Sequence, residues 1–201
     1  MHPNPAFRWP DVAAMRAFVR DATFGSLFVQ TPAGPRAVHA PAVVLDADAL
    51  GLHFSRSNAA SHPGLAGQTA LFVVQGPHAY VSPDWYGLGP DEVPTWNYLA
   101  VEVEGTLEPM TRDDLIAQLD QLGHEQEARL APKTEWTRDK ADPARIDAML
   151  NAIQGWRLNV TEWRGSRKIG QNKPAAARRV AAQALAALGQ DGIARAMRDG
   201  L

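Results

Sequence analysis

Apolar and polar positions change their spacing along the chain, from a helical pattern to an alternating one. Four apolar residues between positions 12 and 19 recur at helical spacing after Pro10, which predicts a helix that ends before Gly25. From there to residue 108, short apolar runs are bounded by Gly, Pro, Asn and Asp, as is typical of strands joined by turns. Strands are predicted at 26–30, 36–45, 51–55, 69–75, 79–82 and 97–108, with Pro41 indicating an edge strand or a bulge.

Helical signals dominate the second half of the chain. Thr111 and Asp114 form an N-terminal capping pattern for a helix that reaches about Leu130. Asp142-Pro143 begins another helix, which Gly155 ends. A last strand is predicted at 156–163, an Ala-rich helix at 174–188 and a short helix at 191–198. Closely spaced strands with a late returning strand predict a mainly β fold, a small barrel with flanking helices at its rim.

The composition limits the class of protein. With 201 residues, 45% of them hydrophobic, we expect one domain at 1–170 followed by a helical extension at 171–201. The chain has no cysteine, which excludes a disulfide framework, thiolate catalysis and Cys-based metal sites. No apolar run approaches the ~20 residues of a membrane span, and residues 1–9 lack the features of a signal peptide. A soluble cytoplasmic protein is therefore expected.

Charge is distributed unevenly along the chain. Residues 164–201 hold eight Lys and Arg against two Asp, a net charge of +6, whereas the whole chain carries −2. A basic end of this kind is found in proteins that bind nucleic acids or other anions. We favour the simpler interpretation, a solvated helical face that packs on the acidic body of this subunit or of a partner. No helix-turn-helix or concentrated basic face is recognisable, so direct DNA contact is doubtful.

Aromatic residues are concentrated between Gln75 and Tyr98. The string Gln75-Gly-Pro-His-Ala-Tyr80 is followed by Trp85-Tyr86 and then by Val93-Pro-Thr-Trp-Asn-Tyr98. A segment that only linked two strands would be shorter and more polar, because exposed rings gain nothing in water. This segment instead predicts flat surfaces with a few polar tips, which suit a planar ligand or a subunit contact.

The loop after the third predicted strand is a candidate anion site. It carries Arg56, Ser57, Asn58, Ser61 and His62. A phosphate is bound by a charged fork, hydroxyl groups and free backbone N–H groups, and we expect all three here. The pattern is weak by itself, because turns rich in Ser and Asn are common.

Other polar residues give weaker signals. Four histidines, at 39, 53, 62 and 78, lie on separate strands and loops without the spacing of a metal pair, so no metal site is predicted. Neither a nucleophile elbow nor a Gly-rich nucleotide loop is present. Asn172 is expected to cap the Ala-rich helix. Lys168 and Gln171 have no such structural role in the sequence pattern and are free to reach a polar ring edge or a phosphate.

Taken in order, several of these strings resemble one family. His39-Ala-Pro41, Gln75 to Tyr80, Trp85-Tyr86, Val93 to Tyr98 and Lys168-Ile-Gly-Gln-Asn172 are similar to the PaiB-like family of FMN-binding negative transcriptional regulators. The resemblance covers nearly the whole chain. It implies an FMN-binding split β-barrel of the pyridoxamine-phosphate-oxidase type, a homodimer that binds flavin in clefts between its subunits.

The resemblance also implies which residues bind the cofactor. One strand would line the isoalloxazine ring, and the loop after the third strand would hold the ribityl phosphate. Residues after position 95 would reach across the dimer or close the far side. In that order the three groups are Val38, His39 and Ala40; Phe54, Ser55, Arg56, Ser57, Ser61 and His62; and Trp96, Asn97, Lys168 and Gln171.

The chain departs from the oxidases of this fold in two ways. Ser61-His62 stands where those enzymes have an Arg-Lys pair in the phosphate loop, which reduces fixed positive charge and introduces a group that titrates near neutral pH. The arginines that grip pyridoxal phosphate have no counterpart, so vitamin oxidation is not expected.

Three hypotheses follow for the function. The first is an FMN-binding split-barrel protein that acts in regulation, with flavin as sensor or bound ligand. The second is a flavin-dependent oxidoreductase that acts on an unknown small molecule. The third is a haem-binding split barrel, in which His39, His62 or His78 would be the axial ligand.

Overall fold

Seven strands and five α-helices are formed by residues 2–200, the part of the chain that the computed structural model describes. The strands are β1 (Arg8–Trp9), β2 (Phe24–Thr31), β3 (Gly34–Asp46), β4 (Ala49–Ser55), β5 (Thr69–Val81), β6 (Thr95–Pro109) and β7 (Ile153–Lys168). The helices are α1 (Val12–Ala22), α2 (Arg112–Glu127), α3 (Pro143–Ala152), α4 (Ala175–Ala187) and α5 (Asp191–Asp199).

The strands are hydrogen-bonded in the order β1-β7-β4-β3-β2-β5-β6, and β6 also pairs with β7. These pairings close a ring of six strands, which confirms the predicted barrel. Gly105 of β6 explains how the ring closes. A Cβ at this position would lie 2.3 Å from the main-chain oxygen of Asn159 on β7, so only glycine permits the two strands to approach this closely.

Contacts divide the described chain into two units. The first unit consists of the residues up to Met15, Gln75–Glu102 and the residues from Arg164 onward. The second consists of Arg16–Val74 and Val103–Trp163. The terminal extension predicted at 171–201 falls within the first unit, and the division predicted at residue 170 stays a prediction.

The second unit has a core of alternating strand residues. Leu27, Val38, Val43, Leu52 and Phe72 are each no more than 2% exposed. The neighbours of Leu27 on β2 are more exposed, as the alternation of side chains requires, whereas Val43 lies between the buried Ala42 and Val44 because β3 is covered on both faces there. Burying aliphatic and aromatic side chains of this size contributes about 1.5–3 kcal/mol each to the free energy of folding.

Helix termini in the second unit follow the sequence signals. Thr111 and Asp114 form a reciprocal capping box at α2, with Asp114 N–H donating to Thr111 Oγ1 at 3.2 Å. Asp142 accepts from Arg145 N–H at 3.0 Å and caps α3. Both predicted caps are confirmed.

The first unit contains β1 and the helices α4 and α5. Arg8 and Trp9 of β1 pair with Ser166 and Gly165 of β7, a pairing that the sequence did not predict. The predicted cap of α4 is wrong. That helix follows Pro174, whose side chain makes no capping bond, although its fixed φ suits the start of a helix.

One strand prediction is wrong. Strands expected at 69–75 and 79–82 are one continuous strand, β5, because Pro77 keeps an extended backbone. Pro41 does mark a local edge, since β3 is paired there with β2 alone and its pairing with β4 begins at Ala42. It pairs with Phe24, the first residue of β2, and the irregular register lies between Val44 and Asp46.

Candidate functional site

The two strands β3 and β4 separate within the second unit. Their register runs from Asp46↔Ala49 to Ala42↔Leu52 and ends there. Beyond that pair, β4 continues to pair with β7 as far as Ser55↔Ile153, and β3 continues to pair with β2. Each strand is therefore paired on one side only. The split leaves main-chain groups of β3 and β4 facing each other without the ladder of hydrogen bonds that a closed sheet would have.

Residues predicted to bind the cofactor lie on both sides of this split. If the register continued, Ala40 would stand opposite Phe54 and His39 opposite Ser55. Val38 and Ala40 are buried, at 2% and 1% exposure, so they have only main-chain groups to offer at the split. The His39 side chain is exposed, and its Nδ1 lies 2.9 Å from the hydroxyl of Ser26 on β2.

A cluster of serine hydroxyls follows the end of β4. Ser55 Oγ and Ser57 Oγ are 2.8 Å apart, and Ser61 Oγ donates to the main-chain oxygen of Ser55 at 3.1 Å. Phe54 is different, because its ring is buried and stacks on Trp156 with centroids 6.0 Å apart. The loop thus presents hydroxyls, while Phe54 fixes the end of the strand in the core.

Arg56 is held in place by the C-terminal end of α3. Its main-chain N–H donates to the oxygen of Ala152 at 2.9 Å, and its Nε donates to the oxygen of Asn151 at 3.2 Å. Among the described residues, the guanidinium hydrogen bonds of Arg56 are formed by Nε alone. The two terminal nitrogens therefore remain available for an anion.

Most of the backbone N–H groups that were expected to be free in this loop are used within the chain. The N–H groups of Arg56, Ser57, Asn58, Ala60 and Ser61 all donate within the chain. Turns in the loop satisfy their own donors, as buried and half-buried main chain requires. An anion here would be bound by side chains rather than by a nest of amides.

His62 also has a role within the loop. Its Nδ1 accepts from Gly64 N–H at 3.2 Å, which leaves Nε2 as the protonated nitrogen, and Nε2 lies 3.2 Å from the main-chain oxygen of Gln30. Both ring nitrogens are engaged. The predicted phosphate contact by His62 is therefore not supported, because the ring has no donor left for an oxyanion.

Trp96 lies in an aromatic pocket of the first unit. Its indole Nε1 donates to His78 Nδ1 at 3.3 Å, and its ring stands edge-on to Tyr80 with centroids 6.3 Å apart. Trp85 and Leu185 contribute further walls to this pocket of about 390 Å³. The rings of Trp96 and Tyr80 are about half exposed, so the segment offers the flat surfaces that its sequence predicts.

Asn97 is buried in the first unit at 1% exposure, which excludes the predicted reach across a dimer. Its Nδ2 lies 3.4 Å from Met197 Sδ. The Tyr86 hydroxyl is hydrogen-bonded to the Asn97 side chain, and burial raises the pKa of this phenol. The turn at Gly170 has a φ of 75° and its Cβ position lies 3.1 Å from Tyr86 Oη, so glycine is required there.

Lys168 and Gln171 bind within the first unit. Lys168 Nζ donates to Thr95 Oγ1 at 2.6 Å and lies 5.5 Å from the centre of the Phe7 ring. Gln171 accepts from Ile169 N–H at 2.9 Å and donates to the oxygen of Ala6 at 2.9 Å. The view that neither side chain has a structural role is wrong. Gln171 ties the turn after β7 to the N-terminal segment.

A family model decides the class of this protein. The model described as "Putative FMN-binding domain" matches residues 1–162. The chain belongs to this FMN-binding family. FMN is therefore its cofactor, as predicted.

Sequence comparison agrees with this assignment. The chain is 30% identical over 159 residues to "Protease synthase and sporulation protein PAI 2" of Bacillus subtilis (strain 168). The match covers 78% of this chain and 75% of that protein. The predicted PaiB-like resemblance is confirmed.

Solved structures share the fold. The FAD and haem binding protein of Mycobacterium smegmatis matches with a TM-score of 0.58 at 17% identity, over 80% of this chain and 73% of that one. The flavocytochrome Anf3 of Azotobacter vinelandii matches with a TM-score of 0.61 at 13% identity, over 84% of this chain and 72% of that one. Identities this low establish the fold alone.

The residues at the split fit the family's cofactor. Beyond Ala42↔Leu52, the edges of β3 and β4 that face each other lack the ladder of strand hydrogen bonds, and main-chain groups of this kind suit a flavin's polar edge. The hydroxyls of Ser55, Ser57 and Ser61 and the guanidinium of Arg56 lie at one end of these edges. These are the donors that a phosphate prefers.

Sequence reasoning missed the residues that support the site. Asn151 and Ala152 hold Arg56 through main-chain oxygens, and a contact of this kind leaves no trace in residue type. Within residues 2–200, three or more His, Cys, Asp or Glu side chains do not gather where they could hold a metal ion. The helices in the same range are too short or too polar to cross a membrane.

Proposed function

We propose that this FMN-binding protein acts as a homodimeric regulator of the PaiB type, in which FMN occupies the split between β3 and β4. The observation that carries the proposal is the end of the β3–β4 register at Ala42↔Leu52, next to which Arg56 is held. A cytoplasmic location is part of the same proposal.

The phosphate of FMN is assigned to the loop after β4. Arg56 would pair with it through its terminal nitrogens, and one hydroxyl of the Ser55–Ser57 pair would donate to it, since the Ser61 hydroxyl already donates to the main-chain oxygen of Ser55. A phosphate monoester carries about −1.5 to −2 charge near neutral pH, so a single guanidinium with one such hydroxyl leaves part of that charge uncompensated. We therefore expect FMN binding to be weaker than in proteins whose phosphate loop carries two cations.

The isoalloxazine ring is assigned to the β3 edge. Main-chain groups of Val38, His39 and Ala40 would bond to its polar edge, and the exposed His39 ring would lie beside it. When bound, FMN supplies one- and two-electron chemistry, while the protein supplies binding, orientation and the electrostatic environment. In this proposal Trp96, Lys168 and Gln171 contact only the cofactor that is bound by the other subunit of the dimer.

A second copy of the chain is assigned to the outer face of β2. Phe24 and Phe28 are 59% and 45% exposed on this strand, and Leu71 of β5 stands next to Phe28 in the register. Ala37 of β3 lies on its other side. Two large exposed rings on the same face of one strand indicate a surface that is covered in the working protein.

Regulation by direct DNA contact is not part of the proposal. The exposed arginines of α5, Arg195 and Arg198, are accompanied by Asp191 and Asp199 on the same helix. Mixed charge of this kind does not give the basic face that neutralises several phosphates of DNA. A mobility shift that persists at physiological salt would contradict this point.

Flavin titration tests the proposal. The purified protein is titrated with FMN and with riboflavin, and flavin fluorescence gives both dissociation constants. Tighter binding of FMN than of riboflavin, by tenfold or more, would support a phosphate site. Equal dissociation constants for FMN and riboflavin would show that the loop after β4 does not bind the phosphate. Steady turnover of reduced nicotinamide with added flavin would favour the oxidoreductase hypothesis, and a Soret band after haem addition would favour the haem hypothesis.

A further inference from the structure

A cavity of about 720 Å³ lies in the second unit between α2, the segment 135–141 and α3. None of the residues that line it belongs to β3, to β4 or to the loop that carries Arg56. Its volume falls within the roughly 300–1,000 Å³ of small-molecule sites. The cavity is therefore a candidate for a second ligand.

The walls of the cavity combine apolar and aromatic side chains. Ile116 and Leu119 come from α2, and Ile146 and Leu150 come from α3. Trp136 completes the wall and is 48% exposed. A half-exposed indole contributes little to a core, but it offers a flat, polarisable surface to a ligand.

Trp136 is fixed rather than loose. Its main-chain N–H donates to the carboxylate of Glu127 at 2.8 Å, and Lys133 pairs with the same carboxylate. These two contacts hold the segment after α2 in a defined position. The indole is therefore presented to the cavity without the entropy cost of ordering a mobile loop on binding.

Ion pairs connect the three walls of the cavity. Arg112 of α2 pairs with Asp147 of α3. Arg138 donates to both carboxylate oxygens of Asp120, at 3.1 and 2.8 Å, and His124 lies 2.9 Å from Glu135. The cavity is thus preformed, and its polar groups lie around an apolar centre.

The charged side chains of the lining determine which kind of apolar ligand the cavity favours. The lining contains four carboxylates against two guanidiniums and one imidazole, and Asp147, Asp120 and Glu135 are paired with these groups. The fourth carboxylate, Asp139, has a lowered pKa because it is hydrogen-bonded to the Thr137 side chain, so it is ionised at neutral pH. We propose that this cavity binds a bulky apolar or aromatic molecule that carries one positive charge.

The cavity shares α3 with the flavin site of the proposed function. Asp147 accepts from Asn151 Nδ2 at 3.1 Å, and the main-chain oxygen of Asn151 accepts from Arg56 Nε. Arg112 donates to the Asn151 side chain at 2.8 Å. A ligand that shifts α3 should therefore alter the position of Arg56, so occupancy of the cavity should change the affinity for FMN. This step rests on the proposed function, whereas binding in the cavity does not.

Two ions of equal shape and opposite charge test the binding. Tetraphenylphosphonium and tetraphenylborate are each titrated into the full chain by calorimetry. We expect the phosphonium ion to bind about two- to fivefold more tightly, since the lining holds more carboxylates than guanidiniums and the exposed Asp139 is screened by water. Equal affinities, or tighter binding of the borate, would overturn the proposed charge class, and binding of neither would overturn the site.

Variants locate the binding. Trp136→Ala should weaken phosphonium binding about fivefold or more, and Asp139→Asn about two- to fivefold. Asp21→Asn removes an exposed carboxylate outside the cavity and should leave the affinity unchanged. If phosphonium binding survives both cavity substitutions, the ion binds elsewhere and the proposal fails.

A second measurement tests the coupling to flavin. The FMN dissociation constant should change at least about twofold in saturating phosphonium in the natural chain, but not in the Trp136→Ala variant. Phosphonium binding without a change in FMN affinity would overturn the coupling alone. Absence of FMN binding would count against the proposed function, while the phosphonium titration would still decide the cavity site.

Discussion

Arg56 Nε donates to the main-chain oxygen of Asn151 at 3.2 Å, which joins the loop after β4 to the last turn of α3. The main-chain N–H of Arg56 donates to the neighbouring oxygen of Ala152. Both contacts fix the arginine before a ligand arrives. An anchor held in this way loses little side-chain entropy on binding, so its terminal nitrogens are well suited to a phosphate.

Replacing Arg56 by alanine should weaken the binding of FMN but not the binding of riboflavin. Loss of a charge-assisted pair should weaken FMN binding by about 1–3 kcal/mol, whereas riboflavin, which has no phosphate, should bind almost as before. Flavin fluorescence titration measures both affinities. Arg20→Ala removes an exposed arginine from α1 and controls for net charge. Equal weakening of both ligands in the Arg56→Ala variant would show that the loop does not face the phosphate.

Phe28→Glu should disrupt the proposed dimer. A carboxylate in the centre of an apolar contact must lose its hydration without a partner, which costs several kcal/mol in an interface. Sedimentation should then show a monomer, while the far-ultraviolet circular dichroism stays unchanged because the side chain points out of the sheet. Val180→Glu places the same charge on an exposed position of α4. If both variants keep the same mass as the natural chain, β2 is not the interface.

Closing the barrel should depend on Gly105. An alanine Cβ would lie 2.3 Å from the main-chain oxygen of Asn159, so β6 and β7 would have to move apart. Overpacking of this kind should lower the free energy of unfolding by about 2–3 kcal/mol, measured by urea denaturation.

Gly123 provides a matched control for that substitution. It lies within α2, and a Cβ there meets nothing within 4 Å. Gly123→Ala should therefore raise the free energy of unfolding by about 0.5–1 kcal/mol, because alanine is the better helix former. A similar loss in both variants would show that crowding between β6 and β7 is not the cause.

Local signals predicted the elements of the barrel, but not the site that the barrel forms. Capping at Thr111 and Asp142 and alternation along β6 depend on near neighbours in the chain, and those predictions are confirmed. The split before Ala42 depends on β3 and β4 pairing with different strands, and Pro41 indicated an edge there without indicating which strands separate. His62 shows the same limit. Its type suggested a ligand, whereas its contacts with Gly64 and Gln30 give it a structural role.

His53 should make the stability of the protein depend on pH. It is half-buried on β4, with its Nδ1 3.2 Å from Gln118 Oε1 on α2. Burial lowers the pKa of this histidine below its usual 6.5, and the bond to Gln118 opposes the shift only in part. The unfolded chain therefore binds a proton more readily than the folded one.

The sign of the effect follows from that difference. The stabilising contribution of neutral His53 is fully present above pH 6.5 and is lost as the pH falls through the lowered pKa of the folded state. The free energy of unfolding should fall between pH 7.5 and 5.5, by no more than about 1.4 kcal/mol per pH unit for this one proton. His53→Gln keeps a polar partner for Gln118 and should flatten the dependence of the unfolding free energy on pH. His39→Gln, which removes a histidine from the outer face of the sheet, is the control. If urea denaturation gives His53→Gln the same slope as the natural chain, then another group causes the loss of stability in acid.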